Sequence, residues 1–302
     1  MLISDFTWVD DVVFDLEAGW MRHPGAGGTT YDTILNIENL TVGGGADVYG
    51  SDVANLITVL DTGPASNNTI DGRGGNDTIF AGIGNDSVMG GSGTDYLYGQ
   101  DGNDTLVGGL DVDYVYGGNG DDLIVFTLWN YYDHVDGGAG IDTLDASASD
   151  YSGNTFDFKA GTLTGVTPGT LSLLGIEIFQ DGSGGNTIVS SGTGGTYYGN
   201  GGDDYMIAEL GAETMDGGVG GNDTIDLARY TGDYVVDMTT GATNFWFESY
   251  TNFEHLVSGD GNDSITGTSG ANSISTGNGN DTIVAGGGND TLLAGAGNDV
   301  LN

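Results

Sequence analysis

Residues 72–125 decide the fold, because they divide into six consecutive blocks of nine residues. From Gly72 to Val125 the blocks read GRGGNDTIF, AGIGNDSVM, GGSGTDYLY, GQDGNDTLV, GGLDVDYVY and GGNGDDLIV. Position six is always Asp, position eight is always aliphatic, and Gly is concentrated at positions one to four. A repeat this regular predicts a stack of equivalent short units rather than a globule built around one irregular core.

Each block has room for one short strand and one loop. Helices are not expected, since no window shows apolar residues at helical spacing and Gly interrupts every block. In a strand, successive side chains point to opposite faces, so position eight should face inward while positions seven and nine face outward. The predicted core column of this cassette consists of Ile79, Val88, Leu97, Leu106, Val115 and Ile124.

The charge of the chain requires a counter-ion. The 302 residues include 44 Asp and Glu against 4 Lys and Arg, a net charge of −40, which disfavours nucleic acids and anionic membranes as partners. Asp residues on neighbouring strands would lie ~4.8 Å apart. Their repulsion costs roughly 1–3 kcal/mol per pair at this spacing. Because four basic residues cannot neutralise these carboxylates, a divalent metal ion is the simplest solution.

The sequence shows no cysteine, no Sec signal peptide and no membrane span. The chain has no Cys, so disulfides do not hold the fold, and bound metal can serve in their place. The acidic N-terminal stretch 1–11 has neither the basic region nor the apolar run of a Sec signal peptide. No apolar segment approaches the ~18 residues of a transmembrane span.

The nonapeptide GGxGxDxUx resembles the repeat of the RTX (repeats-in-toxin), or hemolysin-type, calcium-binding family. The resemblance implies an all-β fold, a right-handed parallel β-roll (β-solenoid) in which two blocks form one coil of 18 residues. It also implies Ca²⁺ ions bound between loops of neighbouring coils, and an extracellular protein exported by a bacterial type I secretion channel. Similar β-rolls occur in serralysin-type proteases and in the R-modules of alginate epimerases.

Three irregular segments interrupt the repeats and predict three modules. Each contains a strand with an Asp, then a Gly and a loop, and each ends in a strand that contains Glu; the three Asp residues are Asp15, Asp157 and Asp237. We therefore predict module one at 1–143, module two at 144–224 and module three at 225–302. Module one divides further into a strand-pair segment, 1–41, and a repeat cassette, 42–143.

Calcium prefers six to eight oxygen ligands, which Asp carboxylates and the carbonyls of Gly-rich loops supply. By the resemblance, blocks i and i+2 share each ion, which gives four sites at 72–125 and three in the last cassette, residues 258–302. Asp111, at position four where Gly is expected, puts the geometry of its loop in doubt, and the site that uses Asn272 should be weakest. The predicted metal ligands are Asp77, Asp86, Asp95, Asp104, Asp113, Asp122, Asp133, Asp142, Asp204, Asp223, Asp263, Asp281, Asp290 and Asp299.

The sequence contains no GxSxG elbow and no HExxH motif. The threefold occurrence of the Asp and Glu strands favours a structural role over one active site. We predict a non-enzymatic structural or adhesive region that folds on Ca²⁺ after secretion and assembles with itself, head-to-tail or laterally, into a surface layer or filament. The alternative is an accessory module of a secreted protease, lipase or alginate epimerase that aids secretion, folding or the binding of an extracellular polysaccharide.

Outward positions of the first cassette carry an aromatic ladder. Positions seven and nine of blocks one, three and five include Phe80, Tyr96, Tyr98, Tyr114 and Tyr116. Exposed apolar patches commonly mark contacts. Packing by the chain's own loops, such as 129–132, a partner protein and stacked sugar rings are the three interpretations of this ladder.

Bound calcium should contribute much of the folding free energy. Extracellular calcium modules bind at ~0.1–1 mM. At millimolar calcium, a 0.1 mM site adds about 1.4 kcal/mol by mass action, so about seven sites add on the order of 10 kcal/mol. We therefore expect the chain to be largely unfolded in a calcium-poor cytoplasm and to fold outside the cell.

Overall fold

The structure is a computed structural model that describes residues 12–25, 28–33, 37–60, 66–126, 133–148, 152–165, 171–245 and 247–302. These residues form 33 strands and contain no helix. The predicted fold class is confirmed: the protein is an all-β, parallel β-solenoid.

The strands are short and follow the blocks. The first seventeen are β1 (Val12–Asp15), β2 (Trp20–Gly25), β3 (Gly28–Thr33), β4 (Asn39–Gly43), β5 (Ala46–Ser51), β6 (Leu56–Leu60), β7 (Thr69–Arg73), β8 (Thr78–Ile83), β9 (Ser87–Ser92), β10 (Tyr96–Asp101), β11 (Thr105–Leu110), β12 (Tyr114–Asn119), β13 (Leu123–Val125), β14 (His134–Ala139), β15 (Thr143–Asp145), β16 (Thr155–Asp157) and β17 (Thr162–Thr164). The others are β18 (Leu171–Leu174), β19 (Ile178–Gln180), β20 (Thr187–Val189), β21 (Gly195–Tyr198), β22 (Tyr205–Ile207), β23 (Glu213–Asp216), β24 (Thr224–Leu227), β25 (Val235–Asp237), β26 (Ala242–Thr243), β27 (Ser249–Thr251), β28 (His255–Ser258), β29 (Ser264–Thr266), β30 (Ser273–Ser275), β31 (Thr282–Val284), β32 (Thr291–Leu293) and β33 (Val300–Leu301).

Strands pair in register with the strand two blocks away. In β10, Leu97 lies beside Ile79 of β8 on one side and Val115 of β12 on the other, each 18 residues distant. One coil of the solenoid therefore takes two blocks. Position eight faces inward as predicted, and all six of these side chains in 72–125 are at most 2% exposed. Their stacking buries a continuous aliphatic column between two sheets.

The chain divides into two compact units. Unit 1 contains residues 1–148 and 169–176. Its first parallel sheet consists of β4, β6, β8, β10, β12, β14 and β18. Its second consists of β1, β5, β7, β9, β11, β13 and β15, with β2 and β3 paired antiparallel beyond β1.

Unit 2 contains residues 149–168 and 177–302. On one side β16, β20, β22, β24, β28, β30 and β32 pair in parallel. On the other side β19, β21, β23 and β27 pair in parallel, as do β25, β29, β31 and β33, and β26 joins the two sets.

The Asp strand of each irregular segment forms an antiparallel hairpin with the strand that follows its Gly, as β1–β2, β16–β17 and β25–β26. The expected pairing with the Glu strand is wrong, since the strands after the three Glu residues, β4, β19 and β28, pair in parallel within the coils. In each, the Asp identified from the sequence closes the turn. Asp15 Oδ1 accepts the N–H of Ala18 at 2.8 Å, and Asp157 Oδ1 accepts that of Ala160 at 2.8 Å. Asp237 Oδ1 accepts the N–H of Thr239 at 2.9 Å. These carboxylates have a structural role in the turns, and the division into three modules stays a prediction.

We predict that Leu97→Ala lowers the free energy of unfolding by about 2–5 kcal/mol, because it leaves a cavity in the aliphatic column. Leu110→Ala is the matched control, since Leu97 is 0% exposed and Leu110 is 54% exposed. The control should change stability by less than about 0.5 kcal/mol. Urea unfolding at saturating calcium measures both, and equal effects would contradict the assigned core.

Candidate metal centres in the loops

The loops place every predicted metal ligand in a side-chain ladder. Each of the fourteen Asp residues accepts, through Oδ1, the backbone N–H of the equivalent residue one coil earlier, at 2.7–3.0 Å. For example, Asp77 N–H donates to Asp95 Oδ1 at 2.7 Å, and Asp95 N–H donates to Asp113 Oδ1 at 2.9 Å. The structure thus brings together the pairs that the sequence analysis predicted, and it gives each carboxylate a second, structural task that the repeat pattern did not reveal.

The ladder lies inside the protein. Twelve of the fourteen Asp residues are buried, and only Asp290 and Asp299, in the last coil, are half-buried. An ionised carboxylate in such a position is costly unless hydrogen bonds or an opposite charge compensate it.

The second carboxylate oxygen lacks this compensation. In seven ladder residues Oδ2 is buried and accepts no hydrogen bond, namely in Asp77, Asp95, Asp104, Asp113, Asp122, Asp204 and Asp281. In six of them, all except Asp281, this oxygen faces the Gly at position one of its own block, whereas the block of Asp281 has Thr276 there. A Cβ added to Gly199 would lie 2.5 Å from Asp204 Oδ2 and 2.7 Å from the carbonyl oxygen of Gly217, one coil further on. Gly at position one therefore keeps open a cradle lined by a carboxylate oxygen and a backbone carbonyl oxygen.

Burial shifts the acidity of the ladder. It raises the pKa of Asp95 to about 6, of Asp77 and Asp104 to about 7, and of Asp113 to about 8. The ladder N–H lowers each of these pKa values, and neighbouring carboxylates raise them further. Carboxyl groups with such pKa values carry partial negative charge at neutral pH and gain from a bound cation.

The basic side chains do not supply that cation in the ion pairs that the structure describes. Arg73 pairs with Asp15 and Glu17, each at 3.0 Å. Lys159 pairs with Glu209 at 2.6 Å, and Arg229 pairs with the same carboxylate. None of these acids belongs to the ladder, so these ion pairs do not neutralise the ladder carboxylates.

The donor set fits calcium. Within the described ranges, no three His, Cys, Asp or Glu side chains converge, so a site must combine carboxylates of neighbouring coils with backbone carbonyls. Such oxygen-only sets suit Ca²⁺, whereas zinc prefers His and Cys.

The loop that contains Asp111 keeps its geometry. Asp111 has φ +76°, matching the positive φ of position-four glycines such as Gly102 at +133°. Asp is among the few residues with a side chain that enter this region at modest cost. Asp113, two residues later, keeps its ladder hydrogen bond with the Asp95 N–H, and calcium binding by this loop stays a prediction.

Two features of the loops were not identified from the sequence. One is a second, exposed ladder at position five, where Asn85 Oδ1 accepts the N–H of Asn103 at 2.9 Å and Asn280 Oδ1 accepts that of Asn298 at 2.9 Å. The other is Glu213, nine residues after Asp204. It is 0% exposed, and burial raises its pKa to about 7. The frequent Asn-Asp pair and the spacing of nine residues are the sequence signals that could have found them.

The aromatic ladder forms two stacked columns in unit 1. Phe80, Tyr98 and Tyr116 stack with ring centroids 4.6 and 5.0 Å apart and planes within 6°. Tyr96 and Tyr114 stack at 4.4 Å, and His134 continues their column at 4.6 Å. Ring faces inside each column cover one another, so edges face outward, which disfavours sugar stacking and favours cross-strand stabilisation. The loop 129–132, which one of the three interpretations packs against this ladder, lies outside the described residues.

We predict that acidification promotes folding of the calcium-free chain. The ladder carboxyls have folded pKa values of about 6–8, against about 3.9 in unfolded chains. The folded state therefore binds more protons in this range, and its stability is lost as pH rises from about 4 to 8.

Far-UV circular dichroism of calcium-stripped protein between pH 8 and pH 5 measures this effect. The β signal should increase as the pH falls. Saturating calcium, which replaces the protons, should abolish the increase. A calcium-free β signal that grows with rising pH would contradict the assigned cause.

Comparison with known families agrees with the geometry. The RTX calcium-binding nonapeptide repeat (4 copies) matches residues 63–88, 89–124, 133–150, 191–225, 257–292 and 266–301, more than half of the chain. The comparison with curated proteins returns no match. Among the described residues, no helical segment is long and apolar enough to cross a membrane. The chain thus belongs to the RTX calcium-binding nonapeptide repeat family.

Proposed function

We propose that this chain is a non-enzymatic, calcium-loaded structural or adhesive region of a secreted protein. The seven ladder Oδ2 atoms that are buried and accept no hydrogen bond are the observation that carries the proposal. Calcium would neutralise them and join each coil to the next.

The ions would lie between coils in the position-one cradles. In the first cassette the carboxylates would act in four pairs: Asp77 with Asp95, Asp86 with Asp104, Asp95 with Asp113, and Asp104 with Asp122. Carbonyl oxygens of position-one Gly residues would complete the sites. A Cβ on Gly99 would collide both with Asp104 Oδ2 and with the carbonyl oxygen of Gly117, which supports this assignment.

Calcium sites of this kind make folding depend on whether the chain is inside or outside the cell. The two carboxylates and the carbonyls of a site come together only when two coils are stacked, so binding favours the folded state. Sites of millimolar affinity fill outside the cell and stay largely empty in the cytoplasm. Type I secretion of an unfolded chain is the export route that we infer from the family.

We predict that Asp104→Asn removes up to two bound calcium ions, because Asp104 belongs to two pairs. The amide keeps an oxygen for the ladder hydrogen bond from Asp86 N–H, so the substitution tests metal binding rather than the ladder. Asp101→Asn, in the same block but exposed, is the matched control and should leave the number unchanged. Equilibrium dialysis with elemental analysis counts the ions, and a wild-type count in the Asp104 variant would refute the assigned ligands.

Assembly is the second part of the proposal. Unit 1 exposes large apolar side chains, including Ile83 at 41%, Met89 at 45% and Leu110 at 54%. Exposed apolar groups on a calcium-rigidified surface favour lateral contact with another copy of the chain.

Size-exclusion chromatography with light scattering, with and without calcium, tests this role. We predict larger species only in calcium, reversed by chelator, and reduced when Met89 and Leu110 are replaced by Ser. A calcium-loaded monomer that binds an extracellular polysaccharide would contradict assembly and favour the accessory-module alternative.

A further inference from the structure

Block 181–189, DGSGGNTIV, exchanges two residues of the repeat. It has Asp181 at position one, where Gly is usual, and Asn186 at position six, where Asp is usual. The sequence pattern makes this block a poor calcium loop, and the family match does not include it. Other blocks with Asn at position six, those of Asn55, Asn68 and Asn272, keep Gly at position one.

A side chain at position one enters the cradle that the ladder carboxylates face. The position-one residue of block 258–266 is Ser258, and its hydroxyl donates to Asp263 Oδ2 at 2.5 Å. In the coil after Asp181, a Cβ on Gly199 would point at Asp204 Oδ2 and at the carbonyl oxygen of Gly217. Position one is therefore a second place from which a side-chain oxygen can reach the metal position.

Asp181 uses this place. It is 0% exposed, and Asn186 Nδ2 donates to both of its carboxylate oxygens, at 3.1 and 2.9 Å. The N–H of Gly182 donates to Oδ1 at 2.7 Å. Asn186 points its amide nitrogen at Asp181, while its Oδ1 accepts the N–H of Asn154 at 2.9 Å and keeps the ladder intact. Carboxylate and amide have thus exchanged positions within one loop.

The next coil supplies the second carboxylate. Asp204 Oδ1 accepts the N–H of Asn186 at 2.8 Å, and its Oδ2 is buried without a hydrogen bond. Asp181 is close enough for its charge to raise the pKa of Asp204. No basic side chain contacts either residue in the ion pairs of the described part of unit 2, where Lys159 and Arg229 both pair with Glu209.

We propose that Asp181 is a calcium ligand, and that with Asp204 it forms a complete site in a loop that lacks the position-six Asp. This proposal rests on calcium binding by the ladder. It adds a ligand at position one, where the nine-residue motif has no carboxylate. Positions one and six then become alternative sources of the carboxylate that binds the ion.

Calcium counting on the wild type and three variants tests the assignment. Asp181→Asn should bind one calcium ion fewer than the wild type, because the neutral amide keeps the shape but loses the charge. The double variant Asp181→Gly, Asn186→Asp restores the usual order of the repeat and should return to the wild-type number. Asp157→Asn, in the β16–β17 turn of the same unit, is the control and should bind the wild-type number.

The outcomes separate the two proposals. A wild-type chain that binds no calcium would refute the proposed function itself. If the wild type binds calcium and Asp181→Asn binds equally many ions, the ladder sites stand and the Asp181 site is refuted. A double variant that still lacks one ion refutes it too. Far-UV circular dichroism at saturating calcium confirms that each counted variant is folded, and the restored double variant decides the question if Asp181→Asn is not.

Discussion

The structure depends on buried carboxylates whose two oxygens have different surroundings. One oxygen accepts an N–H from the coil before it, and this bond repeats at every predicted ligand, from Asp77 to Asp299. The other oxygen faces a glycine cradle and, in Asp95 and Asp104 among others, accepts no hydrogen bond. The first contact joins neighbouring coils by a hydrogen bond that needs no metal. The second leaves a negative charge that the described ion pairs of Arg73, Lys159 and Arg229 do not neutralise. Calcium would resolve this conflict, and folding then becomes dependent on the ion.

This arrangement explains the extreme composition. A net charge of −40 would destabilise an ordinary compact domain through self-repulsion. In this protein much of the charge is arranged in columns at coil spacing, where one divalent ion can serve two carboxylates. Glycines such as Gly99 and Gly199 keep the cradle of their own block open, because a Cβ there would fill it. Loss of calcium should therefore affect the whole length of each column rather than one local site.

Much of the fold could be predicted from the sequence, since its period is strict. The register of Leu97 with Ile79 and Val115 follows from a coil of two blocks, and the inward aliphatic column follows from strand alternation. The fourteen Asp residues of the ladder were also identifiable, because they occupy one position of the motif.

The rest depended on geometry that a motif does not encode. Predicting the ladder hydrogen bond requires the spacing between two neighbouring coils. Predicting the stacking of Tyr96 on Tyr114 requires the rotamers of both side chains. Asp181 was not among the predicted ligands because the motif compares residues position by position. In the folded loop, however, the side chains at positions one and six lie together, as Asp181 and Asn186 do. Glu213 was missed because Glu replaces the usual Asp.

Diffraction from crystals grown in calcium, measured where calcium scatters anomalously, tests the central claim most directly. We expect anomalous peaks between coils, within about 2.3–2.6 Å of the Oδ2 atoms of Asp95 and Asp104 and of carbonyl oxygens such as that of Gly108. Anomalous maps without peaks at these oxygens, with Oδ2 hydrogen-bonded to ordered water instead, would contradict it.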